Sequence, residues 1–320
     1  MSEPIPHADK IDIKPAFRER YSKLTDWEPF IQCSLSFLRR SIRVNTLKIS
    51  VEDLKKRMEK NWRLDPVPWC KEGFYIDHKG EGEEYRRDVG NTIEHQLGYI
   101  YIQEAASMIP PIVLDPKPGE TILDMCASPG SKASQIAQYM ENQGILVAND
   151  YQGVRLAALG INIQRMSSTN TVLTLMDGSR FKDTGMQFDR VLLDAPCSGT
   201  GTIRKSLKTL RIWNPNMVKK IAGEQKRLLR AAFEILKPHG TLVYSTCSLE
   251  PEENEGVMDW LLTTYPDASL EKFELEKLKR GNVITEFEGK TYSKEVEKCL
   301  RLWPHDNDTE GFFVAKIRKS

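Results

Sequence analysis

The chain reads as an α/β protein: a doubly wound, mostly parallel sheet preceded by a smaller α+β unit. Three observations predict this. From Thr121 onward, short apolar strands alternate with helical stretches, a pattern that right-handed crossovers turn into a parallel sheet. Several of these strands end on an aspartate or run into a cysteine, side chains suited to the crevice at the carboxyl edge of such a sheet. With 320 residues, 40% of them hydrophobic, the chain exceeds one typical domain and can bury a substantial core beside a smaller companion.

Taken in order, residues 1–15 are polar and proline-marked and are expected to form an arm, 16–100 the smaller domain and 101–320 the larger. The stretch 17–40 has helical spacing, with a break expected at Trp27-Glu28-Pro29. Residues 41–48 alternate as a half-buried strand, and Ser50 with Asp53 three positions on signals a helix running to about Lys60. The aromatic, proline-bearing stretch 62–77 suits an edge strand or hairpin, and near residue 100 a short strand should lead into a helix. Strands are then expected at 121–126, 144–149, 171–175, 188–194 and 241–245, alternating with helices at 131–140, 153–166, 217–236 and 251–265. Two late segments, 301–303 and 312–317, should close the sheet as antiparallel strands.

The composition excludes several classes. No apolar stretch approaches the ~18 residues of a membrane span, and the acid- and proline-bearing start is unlike a signal peptide, so a cytoplasmic protein is expected. None of the six cysteines forms a Cys-x-x-Cys pair, which argues against a structural metal site, and a chain this long needs no disulfide staples. The net charge of +1 gives no global sign of nucleic-acid binding, so any basic surface must be local. One such stretch, 202–220, holds Arg204, Lys205, Lys208, Arg211, Lys219 and Lys220 without a single acid.

The segment Ile-Leu-Asp-Met-Cys-Ala-Ser-Pro-Gly-Ser-Lys (122–132) is a strand, a tight loop and a helix start, which together offer backbone donors to an anion. A P-loop would need a second glycine where Met125 stands, and the dinucleotide fingerprint needs three glycines where this loop has one. A small carboxylate ligand fits better. Asp150 lies twenty residues beyond Gly130, where an acid commonly binds a ribose diol, and Asp177 and Asp194 end the next two strands. A lone strand-end aspartate is usually a cap or turn former; three on successive parallel strands face one crevice. S-adenosylmethionine supplies matching groups, namely a carboxylate, a ribose and an adenine. The residues expected to hold it are Cys126, Ala127, Ser128, Pro129, Gly130, Ser131, Lys132, Asp150, Arg155, Asp177 and Asp194.

The segments Asp-Met-Cys-Ala-Ser-Pro-Gly-Ser-Lys (124–132), Asp-Ala-Pro-Cys-Ser-Gly-Thr-Gly (194–201), Tyr-Ser-Thr-Cys-Ser (244–248) and Pro-Glu-Glu-Asn-Glu (251–255) occur in this order. In them the chain resembles the Sun-type RNA 5-methylcytosine methyltransferases, and the resemblance covers residues 40–318, with the compact archaeal members as the nearest type. It implies an S-adenosylmethionine-dependent methyltransferase sheet behind a small RNA-recognition-like domain. It also implies that Cys247 is the nucleophile, that Cys197 assists product release and that Asp194 acts at N3 of the base. Carbon 5 of cytosine is a poor nucleophile; a thiolate added at carbon 6 makes it enamine-like, and a second thiol can help the first to leave. A free thiol is only a few per cent ionised at neutral pH, so Cys247 needs a local positive field or a helix N-terminus, and a helix starting near Pro251 is expected to supply part of that field. Cys33, Cys70 and Cys299 are read as small hydrophobes, and Cys126 as shaping the loop.

A cytosine must be unstacked to reach a strand-end thiol. Arg204, Lys205, Lys208 and Arg211, which follow the Cys197 loop, are expected to track phosphates, and Arg39, Arg40 and Arg43 to contact RNA from the N-terminal domain. Transfer RNA is preferred over ribosomal RNA, with a single chain acting as a monomer and with no metal or membrane partner. A methyltransferase acting on a small molecule or protein, and a cofactor-binding RNA protein without turnover, remain as alternatives.

Overall fold

In the computed structural model, which describes residues 3–80 and 88–320, the chain opens with an arm laid against its second helix: Ile5 N–H donates to Leu35 O and Phe37 N–H to Glu3 O. Helices α1 (Pro15–Leu24) and α2 (Trp27–Ser34) are separated at Thr25-Asp26, slightly before the expected break. Pro29 falls in the first turn of α2, where a missing N–H costs nothing. Phe17, Tyr21 and Phe30 stack on one another and meet Trp213 and Trp303, so both helices pack on the larger part of the chain.

The small sheet follows as β1 (Ser41–Val44), α3 (Val51–Met58), β2 (Trp62–Pro66), β3 (Gly73–His78), α4 (Ile93–Gln96) and β4 (Ile100–Ile102). Ser50 caps α3 by accepting from Asp53 N–H, as its spacing predicted. The strand order β2-β3-β1-β4, antiparallel throughout, is that of a βαββαβ unit. Strand alternation sends Ile42, Val44, Phe74, Ile76 and Ile100 to one face, under Leu54 and Met58 of α3. Arg43, Tyr75 and Tyr101 therefore take the other face, and all three are buried.

The larger part runs α5 (Ile109–Leu114), β5 (Thr121–Asp124), α6 (Ser131–Tyr139), β6 (Ile145–Asp150), α7 (Gly153–Met166), β7 (Thr171–Leu175) and β8 (Phe188–Asp194). It continues with α8 (Lys208–Ile212), α9 (Pro215–Glu234), β9 (Leu236–Thr246), α10 (Glu255–Thr264) and β10 (Ala268–Glu271). A small hairpin of β11 (Glu286–Phe287) and β12 (Lys290–Thr291) precedes β13 (Leu300–Leu302), α11 (Pro304–Asn307) and β14 (Phe312–Lys319). The sheet order is β7-β6-β5-β8-β9-β14-β10, with β13 also on β14. The first five strands are parallel, and β14 runs antiparallel to β9. One apolar cluster centres on Leu193, Tyr244 and Phe233, the other on Ile122, Leu192 and Val243, so the central strands are covered on both faces. The chain leaves β5 toward β6 on one side and returns to β8 on the other, which opens a crevice at the strand ends.

Candidate active site

The loop after β5 is held by its neighbours' backbones. Ala127 N–H donates to Asn149 O, Ser128 Oγ to Arg155 O, and Asn162 Nδ2 to Pro129 O. Gly130 caps α6 at φ +105°, a left-handed conformation that favours glycine, and a Cβ there would sit 3.0 Å from Leu159. The first N–H groups of α6 lack intrahelical acceptors and suit an anionic ligand group. Buried Asn149 joins three strand ends: its Nδ2 donates to Met125 O and Met176 O, and its Oδ1 accepts from Thr174 Oγ and Met176 N–H.

The expected acids do different things. Asp150 is buried at the end of β6, accepting from Gln152 N–H and pairing with Arg155 at 3.5 Å. Asp177 lies two residues beyond β7, where its Oδ1 accepts from Ser179 N–H and its Oδ2 faces Arg227 at 3.1 Å; it does the local capping work a lone aspartate often does. Asp194 accepts from Ser245 Oγ at 2.7 Å and pairs with buried Lys132 at 2.9 Å. Burial works to lower the Lys132 ammonium, but the charge and hydrogen bond of Asp194, then Asp124 and Cys247, outweigh it and leave its pKa raised.

Asp124, Asn149 and Ser245 were not singled out from the sequence. Asp124 ends β5 just as Asp194 ends β8, so the strand-end argument applied to it equally. Fully buried, neither of its carboxyl oxygens meets a donor in hydrogen-bonding geometry among the described residues. Burial and then the Asp194 charge push its pKa up to about 8, Lys132 and the Cys126 N–H offsetting only part of this. An orphaned carboxyl beside a donor-bearing helix start fits the amino and carboxylate ends of S-adenosylmethionine, and Asp150 beyond the loop fits its ribose. Cys126 sits among these acids; burial, then Asp124, Asp194 and Asp150, hold its thiol far above the ordinary range.

The two cysteine loops meet over the end of the sheet. Cys197 Sγ and Cys247 Sγ are 3.1 Å apart, both partly exposed. Its hydrogen bond to Cys247, then burial, then the charges of Cys247 and Glu253 hold the Cys197 thiol well above its usual range, so it stays protonated and can donate to Cys247. The expected field from a helix at Pro251 is corrected: α10 begins at Glu255, and Glu250, Glu253 and Glu255 are buried around its start. Lys132 interacts electrostatically with the Cys247 sulfur. Cys70 and Cys299 are buried as expected, and Cys33 is half-buried.

Two expected RNA contacts are corrected. Arg43 is fully buried, donating to Gln103 Oε1 at 2.6 Å, Ser131 O at 2.8 Å and Ser134 Oγ at 2.9 Å. It ties β1 to the start of α6, because alternation sends it to the sheet face that docks on the larger domain. That is the face on which an RNA-recognition fold stacks bases, and here Tyr75 and Tyr101 are covered with it. Arg204 is also buried, pairing with Asp308 at 2.7 Å and donating to Phe37 O at 2.6 Å; it fastens the residues after the Cys197 loop to the N-terminal segment. Lys205, Lys208, Arg211, Arg39 and Arg40 are exposed, with Arg39 stacked 3.8 Å over the Tyr75 ring. No helix among the described residues is long and apolar enough to cross a membrane, and no cluster of three metal-ligating side chains occurs among them.

Comparison with known proteins places this geometry. Residues 111–318 match the family described as 16S rRNA methyltransferase RsmB/F, and residues 13–105 the N-terminal domain of 16S rRNA methyltransferase RsmF. The chain is 50% identical over 302 residues, 94% of each chain, to a tRNA (cytosine(49)-C(5))-methyltransferase of Pyrococcus abyssi. It is 44% identical over 297 residues to ribosomal RNA small subunit methyltransferase F of Shewanella oneidensis, covering 92% of this chain but 60% of that one. A methyltransferase homolog from Pyrococcus horikoshii superimposes with a TM-score of 0.82 at 38% identity, covering 96% of this chain and all of that one. NSun6 from Pyrococcus horikoshii, solved with the S-adenosylmethionine analogue SFG, gives a TM-score of 0.82 at 26% identity, covering 96% and 98% of the two chains. The chain therefore belongs to the RsmB/F, or Sun-type, family of S-adenosylmethionine-dependent RNA cytosine-5 methyltransferases.

Proposed function

We propose that this enzyme methylates a cytosine of transfer RNA through a covalent bond between Cys247 and carbon 6 of the base. The observation that carries the chemistry is the 3.1 Å approach of two partly exposed sulfurs beside the Lys132–Asp194 pair. S-adenosylmethionine, when bound, supplies an electrophilic methyl group at a sulfonium. The Cys247 thiolate adds to carbon 6, and the electron pair this releases into the ring is balanced by a proton given to N3 from the Lys132–Asp194 pair. With carbon 5 methylated, water takes up its proton, the electron pair of that C–H bond re-forms the ring double bond, Cys247 leaves as a thiolate that accepts a hydrogen bond from the Cys197 thiol, and N3 returns its proton to the Lys132–Asp194 pair. Asp150 and the 126–132 loop hold the cofactor, with Arg155 steadying Asp150.

Transfer RNA is favoured over ribosomal RNA because identity to the tRNA enzyme is 50% over 302 residues, against 44% over 297 residues to the ribosomal one. Phosphates would run along the exposed Lys205, Lys208 and Arg211, with the exposed Arg39 and Arg40 as further contacts from the N-terminal part. In this reading one chain acts alone in the cytoplasm. The test is incubation with unmodified transfer RNA and labelled cofactor. Cys247→Ala should abolish transfer while still binding cofactor, and Cys197→Ala should accumulate a protein–RNA adduct that survives a denaturing gel. Normal turnover by Cys247→Ala, or the absence of an adduct with Cys197→Ala, overturns the assignment; label appearing only in ribosomal RNA overturns the substrate.

A further inference from the structure

The Pro-Glu-Glu-Asn-Glu segment takes no part in the reaction just described, yet one of its acids touches both cysteine loops. Glu253 is fully buried. Its Oε2 accepts from the Ser198 N–H at 3.0 Å, one residue after Cys197, and from Gln225 Nε2 at 2.8 Å. Its Oε1 accepts from Ser248 Oγ at 3.0 Å, one residue after Cys247. Gln225 also donates to Pro196 O at 2.9 Å, so the backbone is gripped on both sides of Cys197. The two serines meet each other at 3.1 Å, and Thr200 Oγ lies 3.3 Å from Ser248 Oγ. Tyr244, whose hydroxyl donates to Glu253 O at 2.6 Å, anchors the acid to β9 from below.

We infer that Glu253 is a positioning residue for methyl transfer: a single buried carboxylate, bonded to the residue following each active-site cysteine, sets the spacing of the two sulfurs. The inference rests on the roles proposed above for Cys247 and Cys197. Among the acids in this turn the arrangement is particular to Glu253. Glu250 faces Arg20, Tyr21 and Trp213, and Glu255 faces Arg301. Burial, opposed by the Ser198 and Gln225 donors, pushes the Glu253 carboxyl up to about 7, and its charge is one of the influences that keep the Cys197 thiol protonated. One group thus holds the Cys197 loop in place and favours the protonated state in which that thiol can donate to the leaving sulfur.

The test compares Glu253→Ala, Glu253→Gln and Cys197→Ala on the full chain with transfer RNA and S-adenosylmethionine. Losing bonds to a charged acceptor should lower kcat of Glu253→Ala by roughly tenfold to a hundredfold. Cofactor Kd and KM for RNA should stay within about twofold, and an adduct should build up on denaturing gels, as expected for Cys197→Ala. In Glu253→Gln an amide oxygen can still accept from Ser198 and an amide N–H can point at Ser248 Oγ, so most of the rate should return. Should Glu253→Ala fail to fold, Ser248→Ala removes one arm of the bridge and should show a smaller loss of kcat with detectable adduct. Adduct with Cys197→Ala but wild-type turnover in Glu253→Ala, or in Ser248→Ala if that variant is needed, refutes the positioning role alone. Loss of cofactor binding in parallel with kcat also refutes it, as general destabilisation. No adduct with Cys197→Ala refutes the underlying mechanism instead.

Discussion

Replacing Asp124 by asparagine should make the ligand-free protein more stable while weakening its hold on S-adenosylmethionine. The carboxyl ends β5 fully buried, with no donor aligned to either oxygen among the described residues. It binds its proton up to a pH of about 8, first because of burial and then because Asp194 is near. An unfolded chain releases that proton near pH 4, at ~3.9 for a free aspartate. Between those values the folded state holds more protons than the unfolded one, so unfolding free energy falls as pH rises from about 4 to about 8. Full ionisation then costs the fold on the order of 5 kcal/mol, an upper figure since relaxation and water entry will lower it. Asparagine copies the protonated shape and cannot ionise. Urea unfolding at pH 5, 6, 7 and 8 should therefore show the variant gaining on the wild type at each step, by at least about 1.5 kcal/mol at pH 8. Calorimetric titration should show the Kd for cofactor rising about tenfold or more, because the wild-type carboxyl can release its proton as the ligand's ammonium arrives and pair with it, whereas an amide cannot ionise. Parallel stability profiles for the two proteins would refute the desolvated-carboxyl argument. Unchanged affinity would remove Asp124 from the cofactor site.

Arg43→Met should cost about 3 kcal/mol or more by urea unfolding, since it strands acceptors on Gln103 and Ser131; a variant of normal stability with weakened RNA binding would instead restore the original reading of Arg43 as an RNA contact. Lys208→Ala with Arg211→Ala should weaken RNA binding at low salt and flatten the slope of log Kd against log salt by up to about two, measured by filter binding, without altering cofactor affinity. An unchanged slope would take both residues off the phosphate track.

What the sequence revealed depended on whether a signal was local. The alternation of strands and helices from Thr121, the capping of α3 by Ser50 and the strand-end positions of Asp150 and Asp194 each follow from a short stretch of chain, and each is seen in the structure. The meeting of Cys197 with Cys247 was reachable because adjacent parallel strands, β8 and β9, deliver both loops to one edge. Arg43 and Arg204 misled for one physical reason. A guanidinium on a strand or after a loop looks the same in sequence whether it faces phosphates or backbone carbonyls, and only the packing of the small sheet on α6, or of residues 36–37 on the Cys197 side, decides which. Asp124 was overlooked for the opposite reason: its position resembled those of the selected acids, but its lack of partners is visible only in three dimensions. The start of α10 was placed too early because Pro251 looks like a first-turn proline, while residues 251–254 form a separate turn that presents Glu253.

The docking of the small sheet through Arg43 has a consequence for how substrate is read. An appendage joined by a flexible tether could search for RNA independently and deliver it in many orientations. Here the appended unit braces the first turn of the helix that follows the 126–130 loop, so on the reading proposed above any RNA contact made by the small sheet is linked through Arg43 to the loop assigned to the methyl donor. Removing residues before 105 would leave carbonyl and hydroxyl groups at Ser131 and Ser134 without their guanidinium partner, and the remaining catalytic half should be a poorer cofactor binder even with no RNA present.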